Sequence, residues 1–164
     1  HFEPQRGKEG NQKLSIDYNN LFACCSGIKT DKETNAQIRC CDEIKEDKFS
    51  TENGIMPIKP TDTDGNGFIC EQAFVYASIG AIIAKNTAYK EQAQHTLTLL
   101  NLNNSELKRQ RKETCAFLFD SEDNFFDFSL EDVEKFKKEF TLLDGDNKFK
   151  PFCNVVMYFL STYY

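Results

Sequence analysis

The sequence predicts an α+β protein, with short strands in its first half and mainly helices in its second half. Segments of the first half are rich in aromatic and β-favouring side chains and are separated by glycine, proline and asparagine. After Lys85, apolar residues recur instead at helical spacing. A chain of 164 residues fits one domain, or one domain with a small additional lobe. We therefore expect two regions, residues 1–84 and a helical region over residues 85–164.

The predicted strands come in short pieces. Residues 17–25, DYNNLFACC, pass from polar to apolar and predict a short buried strand. The polar residues 26–37 that follow predict a surface insertion, and residues 40–49 favour a helix. Two prolines keep residues 54–60 extended, because proline disfavours helical angles in the residue before it. The β-rich run 68–77 and the AIIA segment at 81–84 predict a hairpin around Gly80.

Four helices are predicted in the second region. The first carries apolar residues at helical spacing from Tyr89 onward, and the second begins after Asn104, a favourable N-cap. The third begins at Ser129, whose capping box closes with Asp132, and the fourth begins at Pro151. Their apolar stripes predict the core: Tyr89, Ala93, Leu97 and Leu100; Leu130, Val133, Phe136 and Phe140; Phe152, Val155, Val156, Phe159 and Leu160.

The charge is unevenly distributed along the chain. The net charge is −6, but residues 113–146 hold 11 acidic and 3 basic residues, a balance of −8. The remaining 15 acidic and 17 basic residues give a balance of +2, so any contact with nucleic acid is expected outside 113–146. Neither a signal peptide nor an apolar run of about 20 residues is present, which predicts a cytoplasmic protein without a membrane partner.

The stretch DTDGNGFICEQA, residues 62–73, invites comparison with a calcium-binding loop. Asp62, Asp64 and Asn66 occupy its first, third and fifth positions. An EF-hand also needs a bidentate carboxylate at position twelve and a helix before the loop. Position twelve is Ala73, and two prolines precede the loop. The stretch therefore predicts a turn between two strands, with a calcium-binding module kept as the weaker alternative.

Three segments taken in order resemble the HNH, or ββα-metal, nuclease motif: HFEPQ (1–5), DYNNLFACC (17–25) and CCDEIKED (40–47). In that motif a hairpin presents a histidine as general base and an asparagine as orienting residue, and a helix gives the third support. The resemblance implies a ββα-metal module within residues 1–84, followed by a short hairpin and a mainly helical C-terminal half.

The following region strengthens this resemblance. Residues 84–113, AKNTAYKEQAQHTLTLLNLNNSELKRQRKE, are similar to the region after this module in the HNH subunit of Septu-type anti-phage systems, also found beside retrons. That family pairs an LNLN segment with a downstream Leu and Arg, which are here residues 100–103, Leu107 and Arg111. The likeness covers most of residues 1–119. It implies a nucleic-acid substrate, DNA or RNA, an ATPase partner subunit and a reverse-transcriptase or other retron component.

The resemblance also implies roles for individual residues. His1 would deprotonate the attacking water, because imidazole titrates near neutral pH. Asn20, rather than Asn19, would bind the catalytic Mg²⁺ (or Mn²⁺) or hold His1 in the correct tautomer. Asp42 would be a second metal ligand, and Lys45 would contact a phosphate. Bland alternatives stay open: Asp42 as a favourable charge at a helix start, and Lys45 as a solvated charge.

The cysteines predict a second, structural metal. The family carries a Cys-x-x-Cys pair and an acidic residue just before its base, and both would precede His1. Cys24 and Cys41 would then supply half of a structural zinc site, with Cys25 and Cys40 as alternatives. We therefore expect further residues ahead of His1. A rival from another class is a catalytically decayed HNH-fold interaction subunit. It is favoured because the acidic residue is missing and because no third His or Asn is evident, Arg39, Cys40 and Asp42 being in its neighbourhood.

Overall fold

The computed structural model describes residues 13, 27–45, 51, 53–120 and 124–164, and of Asp42 it describes the backbone only. The chain divides into two compact units. Within the described ranges, the first unit comprises residues up to Val75 together with Ile82–Glu106, and the second comprises Tyr76–Ala81 together with Leu107–Tyr164.

The first unit opens with a hairpin that leads into a short helix. Strand β1 (Ile28–Thr30) pairs antiparallel with β2 (Gln37–Arg39), with Lys29 opposite Ile38. The turn forms because the Asp31 carboxylate accepts hydrogen bonds from the backbone amides of Glu33 and Thr34, as aspartate commonly does at the start of a turn. Two residues after β2, helix α1 (Asp42–Lys45) begins.

Two further strand pairs follow in the chain. Strand β3 (Thr63–Asp64) pairs antiparallel with β4 (Gly67–Phe68), and helix α2 (Ile69–Ala73) follows directly. Strand β5 (Phe74–Tyr76) then pairs with β6 (Ile82–Ala84).

Helix α3 (Lys90–Leu99) completes the small core of the first unit. Its Ala93 is fully buried against Ile58 and Ala73, and half-buried neighbours including Phe74 and Tyr89 surround them. Thr96 on the same helix is also buried, and its hydroxyl accepts a 2.8 Å hydrogen bond from the amide of Ile58. The irregular segment before β3 is thereby attached to α3.

The second unit is helical and has a larger aromatic core. Helix α4 (Ser105–Cys115) runs into a 3-10 turn (Ala116–Leu118), followed by α5 (Leu130–Thr141) and α6 (Cys153–Thr162). Leu118, Val156 and Leu160 are fully buried at its centre. Phenylalanine and tyrosine rings pack around them, as in the edge-to-face contact of Phe119 with Phe159 at 5.3 Å between centroids.

The predicted α+β class is confirmed for the described part of the chain, which contains six α-helices and three two-stranded sheets. Helices α3, α4, α5 and α6 lie close to their predicted positions. The capping box at Ser129 is also formed, since its hydroxyl accepts from the Asp132 amide at 3.1 Å and donates to the Asp132 carboxylate at 2.6 Å.

The polar segment 26–37 lies at the surface over residues 32–37, and it also contains β1 and the start of β2. Two local predictions were wrong. Residues 69–73 form helix α2 rather than strand, since the β-rich composition of that run does not distinguish one helical turn from a strand. Leu130 is 77% exposed rather than buried, because it is the first residue of α5 and its helix buries Val133 and Phe140 instead.

Within the described ranges, none of the helices combines the length and the apolar composition that a bilayer span requires.

Candidate functional site

The predicted site residues fall into two groups. His1, Asn19, Asn20, Cys24 and Cys25 lie outside the described residues. Cys40, Cys41, Asp42 and Lys45 lie within them; Lys45 is the last residue of α1, and the other three lie on the short stretch where β2 ends and α1 begins. This stretch, residues 39–42, is called the strand–helix corner below. The roles predicted for both groups stay predictions.

Hydrogen bonds hold the backbone of the strand–helix corner at Cys40 and Cys41. The Cys40 amide donates to the carbonyl of Gly27 at 2.7 Å, and the Cys41 amide donates to the carbonyl of Leu100 at 2.8 Å. The carbonyl of Cys41 accepts from the Lys45 amide at 3.2 Å, which closes the first turn of α1. Asp42, the first residue of α1, therefore directly follows two residues whose backbone amides are hydrogen-bonded to other segments.

Cys41 has a left-handed backbone, with φ of 55°. A residue with a Cβ occupies this region at a cost of about 1–2 kcal/mol. Strained conformations of this kind persist only where surrounding bonds enforce them, and they cluster at functional sites. The strain lies immediately before Asp42, so the direction in which the chain enters α1 depends on it. Cys40 beside it is fully buried, whereas Cys41 is half-buried.

A single segment, residues 100–105, borders the hairpin from one end to the other. At the corner, the side-chain amide of Asn101 donates to the carbonyl of Arg39 at 2.9 Å. At the turn between β1 and β2, the hydroxyl of Ser105 donates to the Asp31 carboxylate at 2.6 Å. Between these points, Asn103 pairs with the backbone of Ile82 in β6, accepting at 2.8 Å and donating at 2.7 Å. The segment thus joins the hairpin to β6.

The contact at the far end of the hairpin changes the acidity of Asp31. The hydrogen bond from Ser105, together with those from the backbone and side chain of Thr34, lowers the pKa of Asp31 to about 2. Each of these donors stabilises the charged carboxylate over its neutral form. Asp31 is therefore ionised at neutral pH, and its hydrogen bond to Ser105 anchors the turn of the hairpin.

The donors at the corner have the chemistry of two different metals. Aspartate supplies the hard oxygen that Mg²⁺ prefers, and cysteine thiolates are the ligands of structural zinc. The hairpin, corner and helix bring Cys40, Cys41 and Asp42 to one place. Among the described residues, no group of three or more His, Cys, Asp or Glu side chains is arranged to hold a metal ion. The metal-binding roles of these residues therefore stay predictions.

The calcium-like stretch has the geometry of a turn. The carboxylate of Asp64 accepts from the Tyr89 hydroxyl at 2.7 Å, from the Gln72 side-chain amide at 2.8 Å and from the Asn66 backbone amide at 2.8 Å. The Tyr89 bond is the main reason why the pKa of Asp64 lies below its ordinary value. Ala73, at the position of the bidentate ligand, is fully buried in α2. Asp64 thus connects β3 to helices α2 and α3.

Three basic side chains near the start of the second unit and on α1, Lys45, Arg109 and Arg111, are buried or paired. Lys45 is only 5% exposed, so it is not a solvated charge. Arg111 is 3% exposed, and its Nε donates to the carbonyl of Gly80 at 2.6 Å. Burial lowers the pKa of this guanidinium. Arg109 forms an ion pair with Glu113 one turn along α4. The basic residues 108–112 therefore do not form one open basic surface.

The signature of the resembling family has a structural explanation here. Leu107 and Arg111 are buried, and Asn101 and Asn103 use their side-chain amides on the backbone of neighbouring elements. No structural role was predicted for these positions. The repeated asparagine of LNLN could have indicated a role, because Asn tolerates left-handed backbone angles and its side-chain amide hydrogen-bonds to backbone groups.

A groove of about 550 Å³ lies between residues 54–56 and the start of α3. Its lining includes Met56, Thr87, Lys90 and Glu91 but no described residue of the predicted site.

Comparison of the chain with protein-family models, curated proteins and solved structures gave no match.

Proposed function

We propose that this chain is a metal-dependent HNH-type endonuclease that hydrolyses phosphodiester bonds of nucleic acid in anti-phage defence. The proposal rests on the ordered segments HFEPQ, DYNNLFACC and CCDEIKED, together with the LNLN signature that follows them. One structural observation supports it most: helix α1 begins at Asp42, where the resemblance implies the helix of the module. The segments that would form its hairpin and present His1 and Asn20, residues 1–5 and 17–25, lie outside the described residues.

The proposed roles follow from the chemistry of phosphodiester hydrolysis. His1 removes a proton from the attacking water, since an imidazole is partly neutral at physiological pH. Asn20 either binds the cation through its amide oxygen or orients His1, and Asp42 binds the cation. A bound Mg²⁺ or Mn²⁺ supplies positive charge where the phosphoryl and leaving oxygens become negative. The resemblance gives Lys45 a phosphate contact, and this lysine would have to become more exposed to make it, since it is 5% exposed.

A structural zinc is proposed beside this site. Cys41, with Cys40 as the alternative, would share the zinc with Cys24 or Cys25 and with residues ahead of His1. The corner favours this proposal because it places two adjacent cysteines on a backbone whose amides are hydrogen-bonded to Gly27 and Leu100. Zinc bound there would further stabilise the strand–helix corner.

The partners belong to the same proposal. Nucleic acid, DNA or RNA, is the substrate, and an ATPase subunit controls the nuclease, with a retron component in some settings. Segment 113–146 carries a balance of −8, so a protein partner with a basic surface suits it better than a phosphate backbone does.

The test is a cleavage assay on the full-length protein with its co-expressed partner, using plasmid DNA and total tRNA. We expect cleavage of one substrate class with Mg²⁺ or Mn²⁺ and none with EDTA. Cleavage that persists in EDTA would contradict a metal-dependent mechanism. The substrate that is cleaved identifies the nucleic acid.

A second candidate function is an interaction subunit that keeps the HNH fold without its activity. The second unit favours it, because Leu130 is 77% exposed and Phe126 is 45% exposed within the acidic segment. Exposed apolar side chains among charges are typical of a surface that binds another protein. A folded, zinc-loaded complex that cleaves neither substrate with any divalent cation would establish this candidate. A calcium-binding module, the weakest candidate, predicts that Ca²⁺ raises the melting temperature.

A further inference from the structure

Three large apolar side chains are exposed close together on the second unit. Leu130 is 77% exposed, Phe126 is 45% exposed, and Tyr163, directly after α6, is 53% exposed. The Tyr163 ring stacks on Phe125 at 4.2 Å between centroids, which places it beside Phe126. Leu130 follows Phe126 by four residues, so their Cα atoms are at most about 15 Å apart. The three therefore fit within the area of about 800 Å² that each protein buries in a typical complex. They are called the exposed patch below.

The backbone that carries the exposed patch is hydrogen-bonded to other parts of the second unit. The Phe126 amide donates to the Leu118 carbonyl at 3.0 Å, and the Phe126 carbonyl accepts from the Tyr164 hydroxyl. Leu130 directly follows Ser129, whose capping box fixes the start of α5. Since this backbone is already ordered, binding a partner there would cost little conformational entropy.

The core of the second unit uses the neighbours of the exposed patch in place of the patch itself. Phe125, directly before Phe126, is half-buried and packs its ring against Phe159. Phe128 is also half-buried, and its ring packs edge-to-face on Phe136 at 5.1 Å. Side chains left in water contribute little to folding, because hydrophobic stabilisation follows the apolar area that is buried. A cluster of them is typical of a surface that binds another protein.

The charges next to the exposed patch are negative. Residues 124–134 hold no basic residue and four acidic ones, which are Asp127, Glu131, Asp132 and Glu134. The last two are bonded to neighbouring side chains. The first two directly follow Phe126 and Leu130, and they are exposed like them. Because each of these apolar side chains is followed by a carboxylate, a partner with apolar side chains next to Lys or Arg is complementary to this surface.

Two other occupants fit the surface less well. A second copy of the same patch would bring like charges together, which is unfavourable across an interface. Nucleic acid presents phosphates, which residues 124–134 would repel. A basic segment of another protein is instead attracted by the charge and can also cover the apolar side chains.

We propose that the exposed patch, with its two bordering carboxylates, is the docking surface for a basic segment of a partner protein that also presents apolar side chains. The proposal rests on the proposed function for the identity of that partner, the ATPase subunit. The apolar side chains of the patch become buried in the complex and slow its dissociation. The carboxylates of Asp127 and Glu131 pair with Lys or Arg of the partner and accelerate association.

The test compares substitutions in the exposed patch with matched controls on the same unit. Phe126→Ala and Leu130→Ala each remove one apolar side chain of the patch. Phe149→Ala and Leu142→Ala are their controls, because both residues are 56% exposed and lie beyond the end of α5. Glu131→Gln removes one bordering charge and keeps the shape of the side chain. A melting temperature close to that of the wild type shows that each variant is folded.

The measurement is the binding of the full-length chain to the purified ATPase subunit by biolayer interferometry at several salt concentrations. We expect Kd to rise about 10–100-fold in Phe126→Ala and Leu130→Ala, mainly through faster dissociation. We expect Glu131→Gln to slow association and to make Kd less dependent on salt. We expect Kd to change by less than about twofold in the two control variants.

Equal Kd values for the patch variants and their controls would overturn the proposal, as would a wild-type chain that does not bind the ATPase subunit. A wild-type dimer in analytical ultracentrifugation that is lost in the patch variants would overturn it in favour of a second copy. Failure of the nuclease proposal is distinguishable, because binding is measured without nucleic acid. A chain that binds through the patch but cuts nothing would refute the nuclease function alone, and cleavage with unchanged binding of the variants would refute the docking surface alone.

Discussion

The substitution Gly80→Ala is expected to destabilise the second unit strongly. Gly80 has φ of 78°, a left-handed angle that alanine adopts only with strain. A Cβ there would overlap the carbonyl oxygen of Lys108 in α4 and would lie 2.9 Å from its carbonyl carbon and 3.0 Å from the amide nitrogen of Lys112. Because these atoms belong to a helix backbone, the loop must move away, and the Gly80 carbonyl then leaves the Arg111 side chain.

The size of the effect follows from two contributions. The left-handed angle costs about 1–2 kcal/mol for a residue with a Cβ. The lost hydrogen bond leaves a buried guanidinium without one of its acceptors, which costs about 1.5–3 kcal/mol. We therefore expect the free energy of unfolding to fall by about 3–5 kcal/mol. At about 2–4 °C per kcal/mol for a chain of this size, the melting temperature falls by roughly 6–20 °C.

Two other glycines separate these contributions. Gly54 has φ of 75° and no atom within 4 Å of an added Cβ, so Gly54→Ala measures the strain alone, about 1–2 kcal/mol. Gly65 has neither a left-handed angle nor a near neighbour, and Gly65→Ala should change the free energy by less than about 0.5 kcal/mol. Urea unfolding followed by circular dichroism measures all three variants. Equal losses for Gly80→Ala and Gly54→Ala would refute the argument from Lys108 and Arg111.

Two further predictions concern the hairpin anchor and the second core. Ser105→Ala removes the largest contribution to the low pKa of Asp31, so that pKa should rise from about 2 toward its ordinary value in an NMR titration. A lowered carboxyl pKa stabilises the fold above the unfolded value of 3.8, and this stabilisation is lost as the pH falls toward 2. Between pH 3.8 and 2, the free energy of unfolding should therefore fall less in Ser105→Ala than in the wild type. An unchanged Asp31 pKa in the variant would contradict the role given to Ser105. Leu118→Ala should lower the free energy of unfolding by about 2–5 kcal/mol, because Leu118 is fully buried. Leu130→Ala should lower it by less than about 0.5 kcal/mol in the same urea titration, because Leu130 is 77% exposed. Similar losses for the two variants would contradict the core assignment.

Helix prediction succeeded where local chemistry decides the structure. The Ser129 box formed as expected because capping involves only residues three apart. The stripe of α6 also formed, since its burial of Val155, Val156, Phe159 and Leu160 follows the helical repeat. Leu130 is exposed although it belongs to the predicted apolar stripe. It is in the first turn of α5, where the path of the preceding chain decides burial, and helical periodicity contains no information about that path.

Prediction failed where distant residues decide the structure. Strand β1 has only three residues and lies in a polar sequence, so no apolar pattern indicates it. The hairpin is stabilised by distant hydrogen bonds: Ser105 donates to Asp31, 74 residues away, and Asn101 donates to the Arg39 carbonyl, 62 residues away. The left-handed angle of Cys41 goes with a hydrogen bond from its amide to the distant Leu100 carbonyl, and no local pattern predicts it. For the candidate site, the sequence singled out Cys40, Cys41 and Asp42, but it did not predict the hydrogen bond from Asn101 to the neighbouring Arg39 carbonyl.

The central claim is that His1 is the general base of a metal-dependent nuclease, and the chain offers its own control. It contains two histidines, His1 and His95, and His95 lies on α3, outside the proposed site. The decisive measurement is the single-turnover cleavage rate of the full-length complex in Mg²⁺ with His1→Ala and with His95→Ala. We expect His1→Ala to reduce the rate by about 10²–10⁴-fold, the contribution of a positioned general base, and His95→Ala to leave it unchanged. A His1→Ala complex that cuts nucleic acid at the wild-type rate would contradict the account.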